Sequence, residues 1–131
     1  MSTHLGVIVI NNDAIHIYMD ESENPNDPVG KVAHDLSFYL DKEKIGEISI
    51  SAVDSDRAFL YNFTVSSKYR NRGYGTGIMK YVMSRYKVNE LTVDESNVSA
   101  IRFYKRFGFK IVMRFTEGGK KRVDMKIDPK K

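Results

Sequence analysis

Arg70-Asn71-Arg72-Gly73-Tyr74-Gly75-Thr76-Gly77 stands between an apolar run that ends at Val65 and a segment of helical spacing from Tyr74 to Tyr86. A glycine-rich, arginine-bearing turn that opens a helix has the makings of a phosphate cradle. The first N–H groups of a helix have no intrahelical acceptor, and the helix dipole favours negative charge there. Glycines let the backbone come close to a ligand, and guanidinium groups add charge-assisted hydrogen bonds. The pattern is neither G-x-G-x-x-G, because its first position is Arg70, nor a Walker A loop, because it lacks the Gly-Lys-Ser/Thr ending. A purely structural turn competes with the phosphate reading, and placement after a strand and before a helix tilts the balance towards phosphate.

Working outward, the segments ahead of the turn read as strands. Leu5 to Ile10 and Ala14 to Met19 are apolar or alternating and flank Asn11-Asn12-Asp13, a hairpin signal. Residues 20–30, with Pro25, Pro28 and Gly30 among polar residues, read as a loop. Val32 to Leu40, Ile45 to Val53 and Ala58 to Val65 follow as an antiparallel meander, joined by Asp41-Lys42-Glu43-Lys44 and Asp54-Ser55-Asp56. Beyond the turn the period changes. Ile78, Tyr81, Val82, Arg85 and Tyr86 mark one face of a helix. A short strand at Leu91 to Val93 precedes a second helix, Val98 to Phe107, started by Ser96 or Asn97 and stopped by Gly108. Phe109 to Phe115 and Lys121 to Ile127 form a last hairpin around Glu117-Gly118-Gly119, and Pro129 to Lys131 fray. The order predicts an α+β, or mixed α/β, layer around one sheet in a single domain spanning residues 1–131.

Composition narrows the chemistry. The chain has 131 residues and no cysteine, which removes disulfides, a thiolate nucleophile and Cys-based metal sites, and fits a cytoplasmic protein. No stretch approaches the ~20 apolar residues that cross a bilayer, and Met1 to Ile10 lacks the cationic start and cleavage site of a signal peptide. The net charge of +4 is uneven: residues 20–27 are acidic, residues 68–72 and 120–131 basic. The basic C-terminal run reads as a solvated face, since no aromatic residues interleave with it as a nucleic-acid platform.

Two further stretches carry information. Asn97-x-x-Ala100-x-x-Phe103-Tyr104-x-x-x-Gly108-Phe109 reads as a helix with a core-facing stripe and a terminating glycine, but a buried Tyr104 hydroxyl needs a partner. The strand Tyr61-Asn62-Phe63-Thr64-Val65 leads straight into the glycine turn, so a ligand held there can extend along its backbone.

Together, Val65 to Gly77 and Asn97 to Phe109 resemble the two acetyl-CoA-binding motifs of the GNAT superfamily of N-acetyltransferases, in the expected order and spacing, over roughly residues 32–115. The resemblance implies a mostly antiparallel twisted sheet flanked by helices, with a splayed pair of parallel strands and a reduced N-terminal helical region. It implies acetyl-CoA as co-substrate, without metal, and an amine acceptor, in a monomer or homodimer. The pyrophosphate then lies on the N–H groups of Arg70, Asn71, Arg72, Gly73, Tyr74, Gly75 and Thr76, and the pantetheine arm beside Phe63 and Val65. The Val65 N–H faces the thioester carbonyl, Asn97 contacts the arm, and Tyr104 protonates the departing thiolate. That thiol, of pKa about 8.5 by analogy with cysteine, needs only modest help. Without cysteine, direct transfer in a ternary complex is the implied route.

The chain departs from the family where many members carry an acid ahead of the motif valine: Tyr61 and Asn62 stand there. Glu47 is the first candidate for the general base, with Asp94 or a water relay as alternatives; His34, on an early strand, is a candidate to line the cleft, and His4 and His16 read as ordinary strand residues. An acidic loop, Asp20 to Gly30, replaces the helices that help form the acceptor site, which implies an open cleft suited to a peptide amine or a bulky small molecule. The rival readings are a module that binds acyl-CoA with little or no transfer, and a basic nucleic-acid-binding protein.

Overall fold

Ile10 pairs directly with Asp13, so only Asn11 and Asn12 turn the chain between the first two strands. Both take positive φ, 53° and 67°, the mirror-image turn whose twist matches a hairpin and which asparagine tolerates. The computed structural model describes residues 2–23, 32–52 and 57–127. Within it the chain divides into two compact units, Met1–Val88 and Asn89–Lys131.

The first unit carries β1 (Thr3–Ile10), β2 (Asp13–Glu23), β3 (Val32–Leu40), β4 (Glu43–Ala52) and β5 (Ala58–Val65), a 3₁₀ turn (Ser67–Tyr69) and α1 (Tyr74–Arg85). The strands follow one another as an antiparallel meander. One sheet face brings together the fully buried Ile15, Ile17, Leu36, Phe38, Ile48 and Ile50, and α1 contributes the equally buried Ile78, Met79 and Val82. Tyr81 of α1 meets Phe38 edge-on with ring centroids 6.2 Å apart. Helical and alternating periods thus converge on one apolar layer, the main source of stability for an amphipathic helix.

Two expectations are corrected here. Asp20 to Glu23 belong to β2 although all four are polar, because the backbone ladder to β3 runs on through Asp35, His34, Ala33 and Val32; the rest of the acidic segment lies outside the described residues. β4 starts at Glu43, since Leu40 pairs with Glu43 and only Asp41 and Lys42 turn the chain. The Asp54-Ser55-Asp56 turn and the Pro129–Lys131 tail lie outside the described residues.

The second unit contains β6 (Val88–Asp94, its first residue closing the preceding unit), α2 (Val98–Lys105), β7 (Phe109–Glu117) and β8 (Lys120–Ile127), with β8 between β6 and β7. β6 is longer than its apolar core predicts. Its polar residues are placed opposite complementary partners: Glu90 beside Lys126 at 3.1 Å, Thr92 donating to Asp124 at 2.6 Å, Asp94 beside Arg122 at 3.5 Å. Cross-strand pairing of this kind is invisible to periodicity. Asn97 caps α2, its Oδ1 accepting from the Ala100 N–H at 3.2 Å. The helix ends two residues early, in tight i→i−3 bonds from Phe107 to Tyr104 and from Gly108 to Lys105. Among the described residues Phe109, Leu91, Val123, Met125 and Tyr104 form this unit's buried core.

Candidate functional site

The glycine turn begins where β5 ends. Ser66 donates its N–H to the Ile45 carbonyl at 2.8 Å, and N–H groups alternate sides along a strand, so the Val65 N–H is directed away from β4. The Val65 carbonyl accepts from Arg70 Nε at 2.8 Å. One arginine predicted for phosphate therefore also ties the strand end to the turn. Arg70, Asn71, Arg72 and Gly73 are exposed.

Backbone conformation shapes the cradle. Asn71 has φ 61° and Gly73, the residue that caps α1, has φ 86°. No side chain caps α1, and no acidic residue occupies its first turn. Among residue types, glycine adopts the Gly73 conformation at least cost. With no capping side chain and no acid in its first turn, this helix N-terminus presents N–H groups and a dipole that favour negative charge. These residues suit the pyrophosphate of a CoA.

The aromatic residues around the turn hold it in place. Tyr69, buried, donates to the Glu43 carboxylate, and that bond, with burial, pushes its hydroxyl up to about 12. Its ring meets that of Tyr74 edge-on at 5.2 Å. The Tyr74 hydroxyl donates to Asp13 Oδ2 at 2.6 Å, which raises its pKa above the usual tyrosine value, as burial also does. The Tyr74 side chain is thus taken up in structural contacts. On the hairpin side the Asn11 carboxamide donates to the Arg72 carbonyl. Neither Asn11, Asp13 nor Glu43 carries a sequence signal for this role, since each meets the turn only through tertiary structure.

The other predicted residues are placed as follows. Phe63 and Val65 are half-buried on β5. Glu47 sits on β4 opposite Ser37 and Thr64, its Oε2 held 2.5 Å from Lys44 Nζ. His34 packs against Met19 and the Tyr86 ring, whereas His4 and His16 bring ring nitrogens to 3.1 Å of each other. In the second unit Tyr104 is buried between Phe103 and Phe109. Burial pushes its hydroxyl pKa up to about 12. Asp94 lies beside Arg122. Among the described residues no group of three or more His, Asp or Glu could hold a metal ion, and no helix is long and apolar enough to cross a membrane.

The model of the acetyltransferase (GNAT) family matches residues 12–109. This chain belongs to the GNAT acetyltransferase family. It is an acyltransferase with acetyl-CoA as co-substrate, as its two motifs led us to expect. Ard1 from Thermoplasma volcanium is similar at 25% identity, over 70% of this chain and 67% of that one, with a TM-score of 0.63. A GNAT acetyltransferase from Elizabethkingia anophelis, solved with acetyl-CoA bound, aligns over 87% of this chain and 97% of that one at 17% identity and TM-score 0.66. Naa50 from Arabidopsis thaliana, in complex with a bisubstrate analogue, is 24% identical over 70% of this chain and 71% of that one, with a TM-score of 0.59. No curated protein sequence matches the chain. The α+β GNAT-like fold expected from sequence is the one these likenesses share with this GNAT chain.

Proposed function

We propose that this GNAT chain acetylates a primary amine by direct attack in a ternary complex, on a peptide or a bulky small molecule. The observation that carries the donor half of this reading is the N-terminus of α1: an αL glycine at the cap, no capping side chain and no acid in the first turn. The N–H groups of residues 70–76 hold the pyrophosphate, Arg70 and Arg72 add charge, and Phe63 and Val65 flank the pantetheine arm.

Bound acetyl-CoA supplies an activated thioester. The protein's own groups do the rest. The Val65 N–H, turned away from β4, donates to the carbonyl oxygen as negative charge develops on it. An ammonium acceptor must shed a proton before it attacks, and Glu47 is the carboxylate we assign to receive it, with Lys44 keeping that carboxylate in place. The Asn97 amide contacts the arm. Tyr104, held protonated by burial, donates its hydroxyl proton towards the departing sulfur. With no cysteine in the chain, no acetylated thiol intervenes.

The test pairs binding with turnover. Acetyl-CoA is titrated calorimetrically into the wild type and Gly75→Val, and the wild type is incubated with acetyl-CoA and panels of peptide, lysine-side-chain and small-molecule amines, read by mass spectrometry. A new acetyl adduct on one amine class, with binding lost in Gly75→Val, is the expected result. Equal affinity of the two proteins overturns the cradle. Tight binding with no adduct on any amine supports the binding-module reading instead.

A further inference from the structure

The β1–β2 hairpin meets the glycine turn at three points. Asn11 donates its carboxamide to the Arg72 carbonyl, Asp13 receives the Tyr74 hydroxyl at 2.6 Å, and Ile10 fills the space beside Gly77. The two hydrogen bonds each join residues 61 positions apart.

The first contact has a directional consequence. In a trans peptide the C=O and the following N–H point in opposite directions. The Arg72 carbonyl and the Gly73 N–H belong to one peptide unit, so a donor that pins the carbonyl towards the hairpin also aims the Gly73 N–H away from it. Gly73, at φ 86°, has no Cβ, so its own sterics do little to prevent that peptide from rotating to present its carbonyl instead. A carbonyl turned outward would repel a pyrophosphate that the N–H attracts. The Tyr74 ring, fixed between Asp13 and Tyr69, restrains the next residue of the same turn.

We propose that Asn11 and Asp13 are positioning residues for the donor: the hairpin tip locks the 72–73 peptide in the orientation that presents its N–H to the CoA pyrophosphate. This inference rests on the phosphate-cradle reading above. It makes the N-terminal hairpin part of the donor site although neither residue needs to touch acetyl-CoA.

The experiment compares two donors that differ in whether they carry the pyrophosphate. Affinities for acetyl-CoA and for S-acetylpantetheine, which lacks it, are measured calorimetrically for the wild type, Asn11→Gly and Asn11→Asp. Glycine keeps the positive-φ turn and deletes only the carboxamide; aspartate keeps the shape and sets an acceptor against the carbonyl. Asp13→Asn, which can still accept from Tyr74, serves as the conservative control. We expect both Asn11 variants to lose about tenfold or more in acetyl-CoA affinity, the scale of one charge-assisted hydrogen bond, with S-acetylpantetheine affinity unchanged and Asp13→Asn close to wild type. Unchanged acetyl-CoA affinity in both Asn11 variants, or an equal loss on both donors, overturns the inference. A wild type that binds the two donors equally overturns the cradle itself, which separates the two failures.

Discussion

No side chain fits between Gly77 and Ile10: a Cβ at residue 77 would stand 2.6 Å from Ile10 Cδ1 and 2.7 Å from Cγ1. The glycine of the motif that lies deepest in α1 therefore serves packing, letting the helix approach β1. Gly77→Ala gains helix propensity of up to about 1 kcal/mol but overpacks a buried isoleucine, at about 1–3 kcal/mol. We expect a net loss of about 1 kcal/mol in urea unfolding, and a double variant Ile10→Ala/Gly77→Ala less destabilised than the sum of the two single variants, because alanine at residue 10 removes both clashing carbons. Additive losses in the double variant would show that the two residues do not compete for the same space.

Alkaline stability follows from the tyrosines. Tyr69 and Tyr104 have hydroxyls pushed up to about 12, and Tyr74 is raised as well. Between the ordinary tyrosine value near 10 and these raised values, the unfolded chain has lost protons that the folded chain retains. Stability is therefore fully present below about pH 10 and falls as pH rises towards 12. Urea midpoints at pH 9, 10 and 11 should decline, and Tyr69→Phe should make the decline shallower by removing one of the groups. An identical slope in Tyr69→Phe would contradict the assigned role of the Glu43 bond.

Tyr104→Phe should lower kcat by about 10- to 100-fold, the low end of general-acid effects, with acetyl-CoA affinity nearly unchanged. Because burial raises the hydroxyl pKa to about 12, the wild-type rate should show no loss of this acid at pH 9 to 10.5, where an ordinary tyrosine would begin to titrate. A kcat equal to wild type would remove Tyr104 from the acid role.

Glu47→Gln tests the base. Its carboxylate is held 2.5 Å from Lys44 Nζ; if it receives the acceptor's proton, the substitution should lower kcat/KM for the acceptor while leaving acetyl-CoA binding intact. An unaltered kcat/KM would direct attention to a water relay.

What the sequence determined by itself is what local chemistry encodes. Alternation placed β3 and β5 with their observed ends, and Asn11-Asn12-Asp13 announced a hairpin that turns on Asn11 and Asn12 with Asp13 already in β2. The three-four spacing found the buried Ile78 and Val82 of α1 but missed Met79 and included the exposed Arg85. The two motifs, in order, named the family. The ends of β2 and β6 escaped because Asp20 to Glu23 read as loop by composition, and because the buried Glu90 is paired across the strands with Lys126. Only the tertiary structure decided how the glycine turn is held. Asn11, Asp13 and Glu43 reach it from distant positions in the chain, and the pairing of a carboxamide with one carbonyl leaves no periodic trace in the sequence. Periodicity reports which face a residue presents, whereas a hydrogen bond between segments 61 residues apart depends on chain paths that the sheet alone sets.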